Sequence, residues 1–314
     1  MKHIFENANF NFVKWRWHAI ALSWLIVLAG VGVAVARGGV PMGIDFSGGT
    51  AVVVKFDQPT HEDVVRKALD VVTSDKVVQR YGPEADNSVL IRMPLGAAQE
   101  GNNLDEGVRA VKDALTKANI GTFNIINTEV VGPVIGKDLQ KKGVYATLAS
   151  LAGILFYIWL RFEWTFAVGA IVATFHDIIV TLAMLVFFNY DMSLNVIAAI
   201  LTIVGYSVND TIVIFDRIRE NRRTKRRESL EKIVNDSVNQ TLSRTIITSG
   251  TTLLTVLSLY LFGGEVLKGF AFTMIVGIIT GTYSSMYIAA SIAIILSGKQ
   301  AAKTGRAPAA SKVS

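Results

Sequence analysis

The chain has 314 residues, 51% of them hydrophobic and only 18% charged, and it contains no cysteine. A mean hydropathy of +0.42 is too high for an ordinary soluble chain of this length, and the absence of cysteine excludes a disulfide framework and a thiolate metal site. The net charge of +6 is concentrated beside the apolar segments, so it reads as membrane orientation rather than as a nucleic-acid face.

In chain order, residues 1–36 predict an N-terminal stretch and a first span, apolar from Trp17 to Val35 after Lys14 and Arg16. That segment is too long for a signal-peptide core, and Trp15 and Trp17 stand where an interfacial aromatic belt would lie. Residues 37–142 predict a separate domain outside the membrane. Gly43-Ile-Asp-Phe-Ser-Gly-Gly-Thr50 precedes its first strand, so a phosphate cradle, which needs a helix N-terminus next, is disfavoured. A tight structural link is the better reading, with glycines supplying positive φ. Strands are expected over Thr50–Phe56, Lys76–Tyr81, Ser88–Met93 and Thr122–Val131. Two helices are expected as well, one capped by Thr60 with Asp63 and one opening at Asn103 with Glu106 and using Leu104 in its buried stripe. The order β-α-β-β-α-β is the ferredoxin-like arrangement. No nucleophile, acid–base cluster or phosphate loop stands out there, and a binding or lever domain is expected rather than an enzyme.

Residues 143–297 predict five more spans, near Gly143–Leu160, Thr165–Phe188, Ser193–Phe215, Ile246–Phe262 and Val266–Leu296, for six in all. The connections are short apart from a basic loop over residues 216–244, which carries Arg217, Arg219, Arg222, Arg223 and Arg226. Placing that loop inside puts both termini in the cytoplasm and the domain outside. Leu230, Ile233, Val234 and Val238 predict an interfacial helix leading into the fifth span. Residues 298–314 read as a disordered cytoplasmic tail. Gly277 and Gly281, and Ala149 with Gly153, are small-residue pairs that permit close helix packing, against a neighbour the sequence does not identify.

Asn209 and Asp210 lie well inside the fourth span, since Asp210 to Arg217 covers roughly 10 Å of helix. A carboxylate at that depth is a functional-site hypothesis. Arg244 starts the fifth span and is suited to tuning or gating, because it keeps its proton. Competing readings are a permanent Asp210–Arg244 pair that fixes helix register, and an Arg244 that snorkels to headgroups. Asp177 lies mid-span beside His176, either as a hydrogen-bonded structural pair or as a proton wire. Ser207 and Thr211 read as packing and hydrogen-bonding residues.

Taken together, Gly43–Gly49, His176-Asp177, Gly205-Tyr-Ser-Val-Asn-Asp-Thr211, Phe215-Asp-Arg-Ile-Arg-Glu220 and Ser243-Arg-Thr245 closely resemble the SecF family over nearly the whole chain. The resemblance implies a multi-pass bacterial inner-membrane protein of the resistance–nodulation–division superfamily, with a periplasmic ferredoxin-like domain. It implies a non-enzymatic role in proton-driven preprotein export, with protons as the coupling ion and no cofactor or metal. The implied partners are SecD, the SecYEG translocon, YajC, the translocating preprotein and, indirectly, SecA. Carried over by position, the family's membrane carboxylate falls on Asp210 and its basic partner on Arg244, while Asn209, Asp177 and His176 match further polar positions. Gly43, Asp45, Phe46, Gly48 and Gly49 form the structural link to the domain. Two rival readings are a passive factor tethering SecD to the channel and half of a small-molecule exporter of the same superfamily.

Overall fold

The computed structural model describes residues 9–73, 76–82, 84–93 and 106–303. Among them, six helices are long and apolar enough to cross a membrane. The first, α1 (Phe12–Ala36), is capped by Asn11, whose side chain accepts from Lys14 N. A single turn, α2 (Ile44–Ser47), follows where only a link was expected, because four residues are too few to show a helical period.

The sheet domain runs β1 (Gly49–Phe56), α3 (Glu62–Ala68), β2 (Val77–Arg80), β3 (Ser88–Met93), α4 (Glu106–Lys117) and β4 (Phe123–Val131). Its four strands lie in the order β2-β3-β1-β4 with every neighbouring pair antiparallel. One face is closed by α3 and α4 around Val52, Val54, Phe56, Val65, Leu69, Ile91, Val111 and Leu115, the alternate residues of each strand and the inward stripe of each helix. The Thr60 cap does not form: its hydroxyl donates to Gln58 O, and α3 starts after His61 without a side-chain cap. The expected opening of α4 at Asn103 and Leu104 lies outside the described residues, as does the tail after Lys303.

The remaining spans are α5 (Pro133–Arg161), α6 (Trp164–Phe187), α7 (Leu194–Thr224) and α8 (Leu230–Phe262). The last is a broken rod of α9 (Gly264–Ser284), a π-helical turn at Ser285–Ala289, and α10 (Ala290–Lys303). The interfacial connector expected before the fifth span is instead the continuous start of α8. No proline or glycine interrupts residues 230–249, and Ile233, Val234, Val238 and Leu242 pack on Phe215 and Ile218 rather than on a membrane surface. Asn235 and Asn239 on this extension accept from the backbone N–H groups of Phe12 and Phe10, both at 2.9 Å, which straps the start of α1 to α8. Lys225 Nζ donates to Asp236 Oδ2 at 2.6 Å across the turn from α7 to α8, and this contact holds its ammonium above its ordinary range.

At the centre, α7 packs on α6, α8 and α9. A Cβ on Gly277 would stand 2.1 Å from Ile203 Cδ1, and one on Gly281 would stand 2.9 Å from Ser207 Cβ. The neighbour of this glycine pair is therefore α7 of the same chain. A Cβ on Gly153 would meet nothing within 4 Å, so among the described residues no neighbour approaches it closely. Gly277→Ala should cost about 1–3 kcal/mol through overpacking against a buried, β-branched Ile203. Gly153→Ala should leave stability unchanged. Thermal unfolding of the two variants in detergent separates these outcomes, and equal melting points would refute the close α7–α9 approach.

Candidate functional site

Ser193 caps α7 by accepting from Val196 N at 3.3 Å, and the helix then carries Ser207, Asn209, Asp210 and Thr211 through the bundle. Two carboxylates are buried there, Asp177 on α6 at 1% exposure and Asp210 on α7 at 3%. Their surroundings differ sharply. Asp177 Oδ2 accepts from Ser207 Oγ at 2.5 Å and from Ser284 Oγ at 2.8 Å, while Oδ1 lies 3.0 Å from His176 Nδ1. Three side chains from three helices thus close on one group. Ser284 is the last residue of α9, and the π-helical turn that follows also directs Ser285 toward α7, where it lies 2.8 Å from Thr211 Oγ1.

Among the described residues Asp210 has one side-chain donor, Ser249 Oγ on α8 at 3.3 Å, and Ser249 in turn accepts from Thr282 Oγ1 at 2.8 Å. The Arg244 guanidinium is near enough for its charge to act on Asp210, yet no Asp210–Arg244 ion pair forms among the described residues. Asn209 and Arg244 are exposed on the outward surface of α7 and α8. Thr248, Thr251, Thr255 and Ser258 continue the Arg244 stripe at spacings of three and four, also exposed and each bonded back to its own helix.

At the end of the bundle that meets the sheet, the segment from Pro41 to Gly49 is strapped to the turn between α6 and α7. Gly43 N donates to Met192 O at 2.7 Å, and Met192 N donates to Pro41 O at 2.8 Å. Asp45 Oδ2 accepts from Leu194 N at 2.9 Å, satisfying one of the free amides at the start of α7. A Cβ on Gly43 would sit 2.9 Å from Met192 O, so the approach needs glycine. Phe46 is buried, and Gly48 and Gly49 turn the chain into β1 at φ of 70° and 137°. Arg92 on β3 adds an ion pair to Asp191 in the same turn.

The structure thus brings Asp177 and His176 into hydrogen-bond contact and sets Asp210 near Arg244, while Asn209 faces away from both acids. The linking residues gather at Leu194, the first residue of α7 and 16 residues upstream of Asp210, about 24 Å at the rise of a helix. Sequence reasoning did not find Ser249, Thr282, Ser284 and Ser285. Their one signal is hydroxyls set in apolar runs, Thr248-Ser249-Gly250-Thr251-Thr252 and Tyr283-Ser284-Ser285.

Residues 110–299 match the family model described as protein export membrane protein SecD/SecF, C-terminal, and residues 33–60 match the SecD/SecF GG motif. The chain is 42% identical to the protein translocase subunit SecF of Rhodothermus marinus, covering 96% of this chain and 97% of that one. It is 40% identical to the subunit of the same name from Escherichia coli, covering 93% and 89%. The crystal structure of SecDF from Thermus thermophilus, a translocon-associated membrane protein, superposes with a TM-score of 0.81 at 36% identity over 94% of this chain. The chain spans about two fifths of that SecDF molecule, 39% of its length. With over half its residues inside one family model and near-full-length relatives at this identity, the chain belongs to the SecD/SecF family of protein-export membrane proteins, on the SecF side.

Proposed function

We propose that this chain is the SecF-type half of a SecD–SecF assembly that uses the proton-motive force to help preproteins cross through the SecYEG channel, with Asp210 as the proton carrier. The observation that carries this reading is the contrast between the two buried acids. Asp177 is held by three side chains, as a structural tie should be, whereas Asp210 has one long hydroxyl contact and a cation that acts on it without clasping it. A group so lightly held can exchange a proton and change partners without dismantling the bundle. Each charge moved through the potential is worth roughly 2.3 kcal/mol per 100 mV, enough to bias a two-state rearrangement when several protons pass. Arg244 keeps its proton and sets the field. His176 and Asp177 hold the helices in register around the carrier.

A partner half is supported by the outward polar stripe of Arg244, Thr248, Thr251, Thr255 and Ser258 beside Asn209. Polar groups on a membrane span face protein or a water-lined path rather than lipid tails. SecD is the partner the family affords. We read the sheet domain as ferredoxin-like and periplasmic, with both termini cytoplasmic. The strand order and antiparallel directions support the fold, and the basic run from Arg217 to Lys232 at the far end of α7 supports the orientation. YajC and SecA are partners at one remove, the preprotein is the cargo, and protons are the coupling ion with no cofactor.

In vesicles holding the complete export machinery, Asp210→Asn should reduce proton-stimulated export to the level seen with an uncoupler, while SecD still co-purifies. Undiminished uncoupler-sensitive export in that variant would refute the carrier role. Asp177→Asn should behave in the opposite way. It exchanges the charged acceptor shared by Ser207 and Ser284 for a weaker neutral one and should lower the stability of the purified protein by about 1–3 kcal/mol, against a smaller change for Asp210→Asn. Denaturation of both variants in the same detergent decides the ranking.

A further inference from the structure

The face of the sheet opposite the helices is covered in part, over Ala51 and Val53 of β1. Ala51 and Val53 of β1 and Leu90 and Arg92 of β3 look across a cleft of about 440 Å³ toward the turn at residues 189–195 and the start of α9. That volume is in the range of ligand sites. On the strand register alone, Asn127 and Glu129 would share a face with Phe123 and Ile125, which pack into the core beneath α3 and α4. They do not, because the register shifts between Val53, opposite Asn127, and Val54, opposite Ile125. Ile126 is the extra residue. This bulge turns Asn127 and Glu129 into the cleft. Bulges also protect sheet edges, but one at any point along β4 would do that. A bulge after Ile125 keeps the apolar residues in the core and delivers an amide and a carboxylate to the cleft.

We propose that this cleft is where the chain holds an extended, unfolded segment of the exported polypeptide, a proposal that rests on the export reading above. The lining is suited to peptide backbone of any sequence. Gln79, Asn127, Asn189 and Asn195 offer carboxamides that both donate and accept, and Tyr81 and Tyr190 offer flat amphipathic surface. Residues of these two kinds dominate adaptable recognition surfaces. The three acids Asp45, Glu129 and Asp191 balance the three bases Arg80, Arg92 and Lys268. An anionic lipid headgroup calls for a net positive site, which this is not. Apolar Ala51, Val53 and Leu90 form the floor, so small apolar side chains are accommodated without being selected. The Arg92–Asp191 ion pair crosses the cleft from sheet to membrane turn, with both side chains mostly buried. That turn joins α6 to α7, so a shift of α7 relative to the sheet widens or narrows the site.

The test places a photo-crosslinking amino acid at Gln79 or Asn127, and as controls at Lys67 or Asp113 on the helix-covered side, in the complete SecD–SecF assembly in vesicles. With an exported protein arrested in transit, crosslinks to it are expected from Gln79 and Asn127 and not from Lys67 and Asp113. Asn127→Trp, which fills the rim, should lower the yield from Gln79. Crosslinks only to lipid or only to SecD, equal labelling from the helix side, or no crosslink at all would overturn the proposal. The two readings fail separately. Uncoupler-sensitive export without cleft crosslinks removes the binding site alone, whereas cleft crosslinks with export indifferent to Asp210→Asn remove the proton-carrier reading and leave the site.

Discussion

A carboxylate inside a membrane bundle must be answered by donors, by a counter-charge or by a proton. This protein places two such groups on adjacent helices and answers them differently. Asp177 collects Ser207, Ser284 and His176, so α6, α7 and α9 meet at a single side chain. The donors come from where helix packing is tightest, for Ser207 is also the residue that a Cβ on Gly281 would strike. Close approach and hydrogen bonding thus depend on each other: without Gly281 the hydroxyl would stand off from the acid, and without the acid the serines would be buried without their acceptor. Asp210 lies one turn further along α7, and its position is set largely by this tie rather than by its own contacts.

The same division appears in how the helices are buried. Asp177 and the inward side of α7 are enclosed by this chain alone, while Asn209 and Arg244 look outward over α8. A stripe with an arginine and four hydroxyls on a membrane span is a poor lipid face and a good protein face. Asp210 stands at the boundary, covered by Ser249 and Thr282 on one side and influenced by Arg244 on the other. A group there senses both the fixed interior of its own chain and whatever covers the outer surface.

Much of this was legible in the sequence where local periodicity carries the information. The alternation of Val89, Ile91 and Met93 marks β3, and the long apolar runs mark the spans. Local capping was less legible. Thr60 has a cap-like spacing to Asp63, but its hydroxyl finds a nearer acceptor at Gln58 O. The start of α8 looked like a surface-lying helix because its amphipathic stripe does not say whether lipid or protein covers it, and here Phe215 and Ile218 do. For the site, acids and bases buried in apolar stretches announce themselves, which is how Asp177, Asp210 and Arg244 were found. Their hydroxyl partners were not, because Ser249 and Ser284 meet the acids across 39 and 107 residues of chain and Thr282 meets Ser249 across 33, and no spacing rule spans such distances.

On the proposed mechanism, the route from a change at Asp210 to the sheet follows from what is rigid. An α-helix with an unbroken ladder transmits rotation and translation along its length, and α7 carries no proline between Asp210 and Leu194. At its start, Asp45 grips Leu194 N while Gly43 and Pro41 pair with Met192, and Arg92 reaches Asp191. Three attachments from the sheet side therefore converge on one turn of the membrane side. Gly43 and Gly48 have backbone geometries that side chains would obstruct, so the strap is short and tight, with little slack to absorb a displacement. On the proposed mechanism, movement of α7 is passed to β1 and β3, the two central strands, rather than to an edge. A push on the centre of a sheet moves it as a body, and the surface that moves with it is the one facing the cleft.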